Sequence, residues 1–346
     1  MDNFEEYIRQ GEPNRAEKAK VWKTAIGLQQ VDGLVPSDYL IEAARQNIEG
    51  DITIEEVKQR IDSYYKQHPA INDESRTEEA DKVSARIAEI LNENTFTFSP
   101  AEYLTIHHRL FQGTYNLAGK IRDYNISKKE WVLNGETVLY GSAESLKATL
   151  EYDFQQEKAF NYRGLSQQGI IEHIAQFISY LWQIHIFGEG NTRTTAIFLI
   201  KYLRQLGFKE VNNNLFAEHS KFFRNALVRA NYEDLSRGIH KTDKYLIRFL
   251  SNLLNKEYHL LKNRELHIHY TENDTVKIKN DTVNDTVFNL IMQNNRITAS
   301  EISEQLKISL STAQRRIKEL KAKGILERKG SDKTGYWAIN EKGIND

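Results

Sequence analysis

The sequence predicts a mainly α-helical chain with one β-hairpin set into its helical middle and a pair of strands near its end. Three observations carry this. Apolar residues recur at helical spacing through most of the first 265 residues, punctuated by Ser, Thr and Gly. One stretch there, KIRDYNISKKEWVLNGETVLY, instead alternates β-formers with polar residues around Asn134-Gly135, a two-residue hairpin signal. Proline is rare, at four residues, while good helix formers abound.

The size, 346 residues, implies two or three domains. A net charge of -1 excludes a chain-wide polycation, so any nucleic-acid signal must be local. With no cysteine, disulfides and zinc-thiolate sites are excluded. MDNFEEYIRQ is too acidic and polar for a secretory leader, and apolar runs such as FISYLWQI are too short to span a bilayer. The expectation is a cytoplasmic protein without membrane contact.

Residues 1–70 read as a small helical domain. KAKVWKTAIGLQQ stops at Asp32-Gly33. Ser37 caps DYLIEAARQNIEG, which ends at Gly50, and Thr53 with Glu56 forms a capping box. A polar joint, HPAINDESRTEEAD, leads into the larger domain, 75–265. Its helices include KVSARIAEILNEN, the Ser99-Pro100 start of PAEYLTIHHRLFQ, SAESLKATLEYDF, GIIEHIAQFISYLWQI and TTAIFLIKYLRQLGF. The tetrapeptide Asn-Asp-Thr-Val, at 273–276, 280–283 and 284–287, marks a linker over 266–284.

Residues 285–346 read as a winged helix-turn-helix. VFNLIMQNN is a first helix, and ITASEISEQLK follows from a Thr298 or Ser300 cap. LSTAQRRIKELKAKG is the recognition helix. ILERKG and GYWAI are strands around a polar tip, SDKT. From Ser309 to Lys342 nine Lys or Arg face four Asp or Glu. Arg315, Arg316 and Lys318 are the candidate DNA contacts; a domain used only for protein contacts is the competing account.

The chemistry concentrates in HIFGEGNTRTT, 185–195. Gly188, Gly190 and Asn191 let the chain leave one helix in a tight turn and begin another at Thr192. Free N–H groups and the positive helix end then favour an anion, above all phosphate. Arg193 adds a fork for phosphate oxygens. Glu189 would oppose an anion unless a divalent cation stands between them. His185 can take a proton near neutral pH. Phosphate, metal and base together point to phosphoryl or nucleotidyl transfer to a hydroxyl.

This stretch resembles the Fic family signature, H-P-F-x-x-G-N-G-R-x-x-R, with His185, Phe187, Glu189, Gly190, Asn191 and Arg193 matching in order. LAGKIRDYNISKKEWVL resembles the family's A-G-x-x-R segment and its flap. The resemblance covers roughly 80–260. It implies a helical Fic domain with a β-hairpin flap, moving AMP from ATP to a Ser, Thr or Tyr hydroxyl of a target protein. By that analogy His185 is the base and Glu189 holds Mg²⁺. Gly188, Gly190, Asn191, Thr192 and Arg193 meet the nucleotide. The flap, with Lys128, Trp131 and Leu133, docks the target as an added strand. Fic proteins often dimerise, so a homodimer is among the expected states.

Three positions depart from the family. Ile186 replaces proline, Thr192 replaces glycine, and Ala196 stands where the last arginine, which grips the γ-phosphate, belongs. Residues 29–61 resemble the small antitoxin partners of Fic toxins, fused here in one chain. Their inhibitory helix carries [S/T]-x-x-x-E-[G/N], whose glutamate pairs with that last arginine. LQQVDG aligns with Asp32 at the glutamate position; a competing register places Glu49-Gly50 there. Both pairs also read simply as helix stops. With Asp32 shorter and its partner arginine missing, the ion-pair brake is expected to be weakened or rebuilt.

The leading expectation is a protein adenylyltransferase restrained by its N-terminal region. Transfer from a different nucleotide, AMP removal, and a nucleotide-sensing DNA-binding regulator with a degenerate Fic domain are the alternatives.

Overall fold

The computed structural model describes residues 4–68, 76–208, 211–255, 259–269, 287, 290–291, 294–306, 309–322, 326–329 and 336–339. Much of the expected joint, all of the Asn-Asp-Thr-Val repeats but Val287, residues 288–289 and 292–293 of VFNLIMQNN and the wing tip SDKT lie outside these. The chain forms two compact units, Met1–Ile268 and His269–Asp346.

The first unit is helical throughout: α1 (Glu5–Gln10), α2 (Pro13–Gly27), α3 (Asp38–Glu49), α4 (Ile54–Gln67), α5 (Thr77–Asn92), α6 (Pro100–Phe111), α7 (Leu146–Ala159), α8 (Gln167–Ile184), α9 (Asn191–Gln205), α10 (Asn214–Ala230) and α11 (Lys244–Asn255). The local signals do what their chemistry requires. Ser37 Oγ accepts from Leu40 N–H, Thr53 and Glu56 close a capping box, and Ser99 caps α6 ahead of Pro100. Gly33 and Gly50 end their helical segments in the left-handed conformation (φ 73° and 93°).

Helix α9 is the axis of the core. Every residue from Asn191 to Leu203 is buried, the polar first turn as well as the apolar run from Ala196 to Ile200. It packs on α5, α6 and α8 and on a 3-10 turn, Leu28–Asp32. The N-terminal helices share this core: Trp22, Leu28, Leu40 and Ile48 belong to the same buried cluster as Phe187 and Leu199. At Gly27, α2 comes so near α10 that an added Cβ would lie 2.2 Å from Ala217 Cα.

The expected β-hairpin is corrected. The Asn134-Gly135 turn forms, with both residues at positive φ, and Glu130 N–H bonds Glu136 C=O at 2.9 Å. No ladder extends from it, and Trp131–Leu133 is a 3-10 turn. Val132, Leu133, Val138 and Tyr140 all turn into the core, so the alternation serves burial and not cross-strand pairing. The flap is thus an irregular loop, anchored also by Ile268 N–H on Val132 C=O.

In the second unit α12 (Ala299–Leu306) and α13 (Leu310–Ala322) precede β1 (Leu326–Lys329) and β2 (Tyr336–Ile339). The strands pair antiparallel, Leu326 opposite Ile339, giving the wing. Thr298, of the two expected caps, forms a capping box with Glu301. No helix among the described residues is long and apolar enough to cross a membrane.

Candidate active site

Helix α8 ends at His185, which sits in the left-handed region (φ 48°, ψ 53°). Such a conformation is strained for a non-glycine residue and needs its surroundings to hold it. Here the surroundings do. Arg122, itself buried, donates Nε–H to His185 C=O at 2.7 Å and Nη2–H to Ile184 and Gly141 C=O, and Nη1–H to Tyr124 C=O. Tyr140 packs on the imidazole with centroids 4.2 Å apart, and Trp182 meets it edge-on at 5.1 Å.

His185 Nδ1 lies 3.3 Å from Trp182 C=O. A carbonyl can only accept, so Nδ1 carries the hydrogen and Nε2 keeps its lone pair. Burial, then the nearby cations Lys128, Arg224 and Arg122, push the imidazole well below its usual range. These causes favour the neutral imidazole.

The turn after His185 is stapled by its own asparagine. Asn191 Oδ1 accepts from Phe187 N–H at 3.1 Å and its Nδ2 donates to Phe187 C=O at 2.7 Å. Phe187 stacks on His107, centroids 3.6 Å apart. His107 Nδ1 accepts from Gly119 N–H, which fixes Nε2 as the donor to Glu189 C=O at 3.0 Å. Gly190, at φ +73°, leaves no room for a Cβ, which would stand 2.4 Å from the Phe111 ring. Helix α9 then begins with no side-chain cap, so its first N–H groups can receive an anion. Thr192 fits the first turn: its Oγ1 accepts from Trp182 Nε1–H at 2.9 Å.

Glu189 is exposed at the turn and pairs with flap Lys128 at 3.2 Å. Among the described residues no three His, Asp or Glu side chains converge. One carboxylate beside an anion cradle is the donor set of a cation that takes its other ligands from substrate oxygens and water.

Arg193 does not face this cradle freely. It is fully buried and held on every side. Its Nη1 donates to Gln29 Oε1 (3.0 Å), and its Nη2 donates to Glu79 Oε1 (2.7 Å) and Tyr115 OH (2.9 Å). Its Nε stands 2.8 Å from Asp32 Oδ2, an ion-pair distance without hydrogen-bond alignment. Phe111 covers the guanidinium at 4.7 Å. Of the two N-terminal registers, Asp32 is the one brought here; Glu49 bonds Tyr7 and Arg15 instead. The carboxylate pairs with Arg193, nearly one turn ahead of buried Ala196. Gln29, Glu79 and Tyr115 were missed from sequence; their convergence is long-range and leaves no local signal.

Two further placements are corrections. Leu133 is wholly buried and cannot dock a target, whereas Trp131 is 59% exposed. Arg316 is 3% exposed because it shares the inner face of α13 with Ala313, Ile317 and Leu320; Arg315 and Lys318 face outward.

Residues 97–203 match the Fic/DOC family model, and residues 287–327 match a winged helix-turn-helix DNA-binding model. The middle of the chain is thus similar to Fic/DOC domains, and a segment near its end to winged helix-turn-helix domains. A probable protein adenylyltransferase, y4lH, from Sinorhizobium fredii (strain NBRC 101917 / NGR234) is 27% identical over 169 residues, covering 48% of this chain and 82% of that relative. A crystal structure of a Fic family protein from Desulfovibrio desulfuricans G20 aligns with a TM-score of 0.47 at 11% identity, covering 98% of this chain and 91% of the other.

Proposed function

We propose that the protein is a protein adenylyltransferase, moving AMP from ATP to a target hydroxyl, and that its N-terminal region restrains it. The observation that carries this is the tautomer of His185, with Nδ1 on Trp182 C=O and the lone pair left on Nε2, at the head of the turn that leads into the uncapped start of α9. The relative's name and the domain match support nucleotidyl transfer.

In this reading His185 Nε2 takes the proton of the target Ser, Thr or Tyr hydroxyl. The hydroxyl oxygen bonds the α-phosphorus, the bond from that phosphorus to the α–β bridging oxygen breaks, and pyrophosphate leaves. The α9 N–H groups offset phosphate charge. Glu189 would hold Mg²⁺, which neutralises phosphate charge when bound. Lys128, now on Glu189, yields that carboxylate. The flap, led by Trp131, receives the target. Asp32 and Glu79 keep Arg193 from the phosphates, which is the restraint.

Intact-mass spectrometry after incubation with ATP and Mg²⁺ tests this, beside His185→Ala. A gain of one AMP in the wild type or Asp32→Ala protein, absent with His185→Ala, is the expected result. Nucleotide binding with no adduct in any form would sink the transferase. It would favour a second reading, a nucleotide-sensing regulator that uses its winged helix on DNA, for which the domain match and the clasped Arg193 speak.

A further inference from the structure

The flap holds a buried acid that the chemistry above does not use. Glu130 is completely buried. Its Oε1 accepts from Tyr140 OH at 3.2 Å and from Arg224 Nη2 at 2.9 Å, while Oε2 has no hydrogen-bond partner among the described residues. A buried carboxylate with one idle oxygen is costly unless its charge or its grip serves something. The residue it grips is Tyr140, whose ring packs 4.2 Å from the His185 imidazole at a 39° tilt.

We propose that Glu130 is a positioning residue for His185, acting through Tyr140. This deepens the transferase reading and rests on His185 being its base. The hydroxyl of Tyr140 is tethered at Glu130, so the phenol ring cannot swing, and the imidazole is confined between Tyr140 and Trp182. That confinement keeps Nδ1 on Trp182 C=O and points Nε2 outward. Charge gives Glu130 a second effect. The groups facing His185 are largely cationic: Lys128 and Arg122 from the flap segment and Arg224 from α10. Glu189 lies on the histidine's own loop but is exposed and paired with Lys128. Glu130 is the buried acid of this surround; burial raises its carboxyl above the usual range, and Arg224, paired with it at 2.9 Å, opposes that shift. When His185 gains the proton of the hydroxyl, the imidazolium forms among cations, and Glu130 acts on that surround through its ion pair with Arg224.

The test compares full-length wild type with Glu130→Gln, Tyr140→Phe and Glu130→Asp by two readouts. The first is the ring-nitrogen NMR spectrum of His185 at neutral pH, which reports the tautomer without needing turnover. The second is kcat and KM for ATP in the transfer assay. Wild type should show one Nδ1–H tautomer. Glu130→Gln and Tyr140→Phe should show mixed or exchange-broadened ring signals and a kcat lower by roughly 10- to 100-fold, with KM little changed. Glu130→Asp, which keeps the charge, should recover part of kcat. A wild-type tautomer spectrum in the folded fraction of both Glu130→Gln and Tyr140→Phe overturns the proposal, whatever the thermal melts show. If wild type makes no adduct, the transferase reading fails, and the ring spectrum alone decides the positioning role.

Discussion

Arg193 Nε and Asp32 Oδ2 stand 2.8 Å apart, joining the first turn of α9 to the 3-10 turn that follows α2. Glu79 holds the same guanidinium from α5 at 2.7 Å. Two carboxylates from two separate elements therefore claim one arginine at the mouth of an anion cradle. In the proposed reading, nucleotide phosphate must compete with both.

Asp32→Ala should loosen this clasp without orphaning Arg193, because Glu79, Gln29 and Tyr115 remain. ATP affinity is expected to rise on the order of tenfold, a coupling of ordinary size. Isothermal titration of the two proteins checks it; unchanged affinity would show that Asp32 does not compete with nucleotide. Glu79→Gln is the contrasting case. It removes the more buried acid and should cost about 3 kcal/mol of stability, read as a lower Tm.

Acid should destabilise the protein through His107. Burial is the main cause that holds this imidazole down at about 4. An unfolded chain takes the proton near 6.5 while the folded one refuses it. Stability is thus full above about pH 6.5 and falls by about 3 kcal/mol on descent toward pH 4. His185 adds to the loss in the same direction. Urea melts from pH 8 to 4.5 should show this slope, and His107→Gln should flatten it. An equal slope in the variant would mean that other groups carry it.

The two turn glycines should behave differently. Gly190→Ala forces a positive φ and drives a Cβ into the Phe111 ring, costing about 1–3 kcal/mol in strain alone and displacing the start of α9. Gly188→Ala meets chiefly the Tyr124 hydroxyl, 2.5 Å away at the end of a half-exposed side chain that can move. Thermal melts should rank Gly190→Ala well below Gly188→Ala.

Lys128→Met should expose Glu189 and remove a cation that disfavours protonated His185. The imidazole then titrates at higher pH, so the acid limb of the rate profile should move upward. Activity at pH 6 relative to pH 8 should fall; a limb that stays in place would separate Lys128 from His185.

In the winged helix, outward Arg315→Ala and Lys318→Ala should each weaken DNA binding about equally across sequences and lower the salt slope by about one. Arg316→Ala should instead lower the domain's melting temperature. Fluorescence anisotropy across a salt series, beside a melt, separates the two effects.

Local chemistry was legible from sequence because it is written within a few residues. The Ser37, Thr53, Ser99 and Thr298 caps, the Gly33 and Gly50 stops, and the Asn134-Gly135 turn all involve neighbours in the chain. The turn at 185–195 was legible for the same reason. What failed was whatever depends on where a face points. Alternation in the flap looked like strand pairing, but Val132, Leu133, Val138 and Tyr140 share one buried environment. Arg316 looked like a DNA contact, but helical period puts it with Ala313 and Ile317. The arginine clasp draws on residues 29, 79, 115 and 193, whose meeting only the packed fold determines.

The near-contact of Gly27 with Ala217 bears on how the proposed restraint would be released. Helix α2 is seated against α10 backbone to backbone, and Ser220 Oγ donates to Gly27 C=O from the same side. A protease or a deletion that stripped away residues 1–70 would expose the buried faces of α9 and α10 that these helices cover. Release of the proposed restraint would therefore keep the N-terminal helices in place and turn only the short Leu28–Asp32 segment, like a latch moved in a door that stays hung.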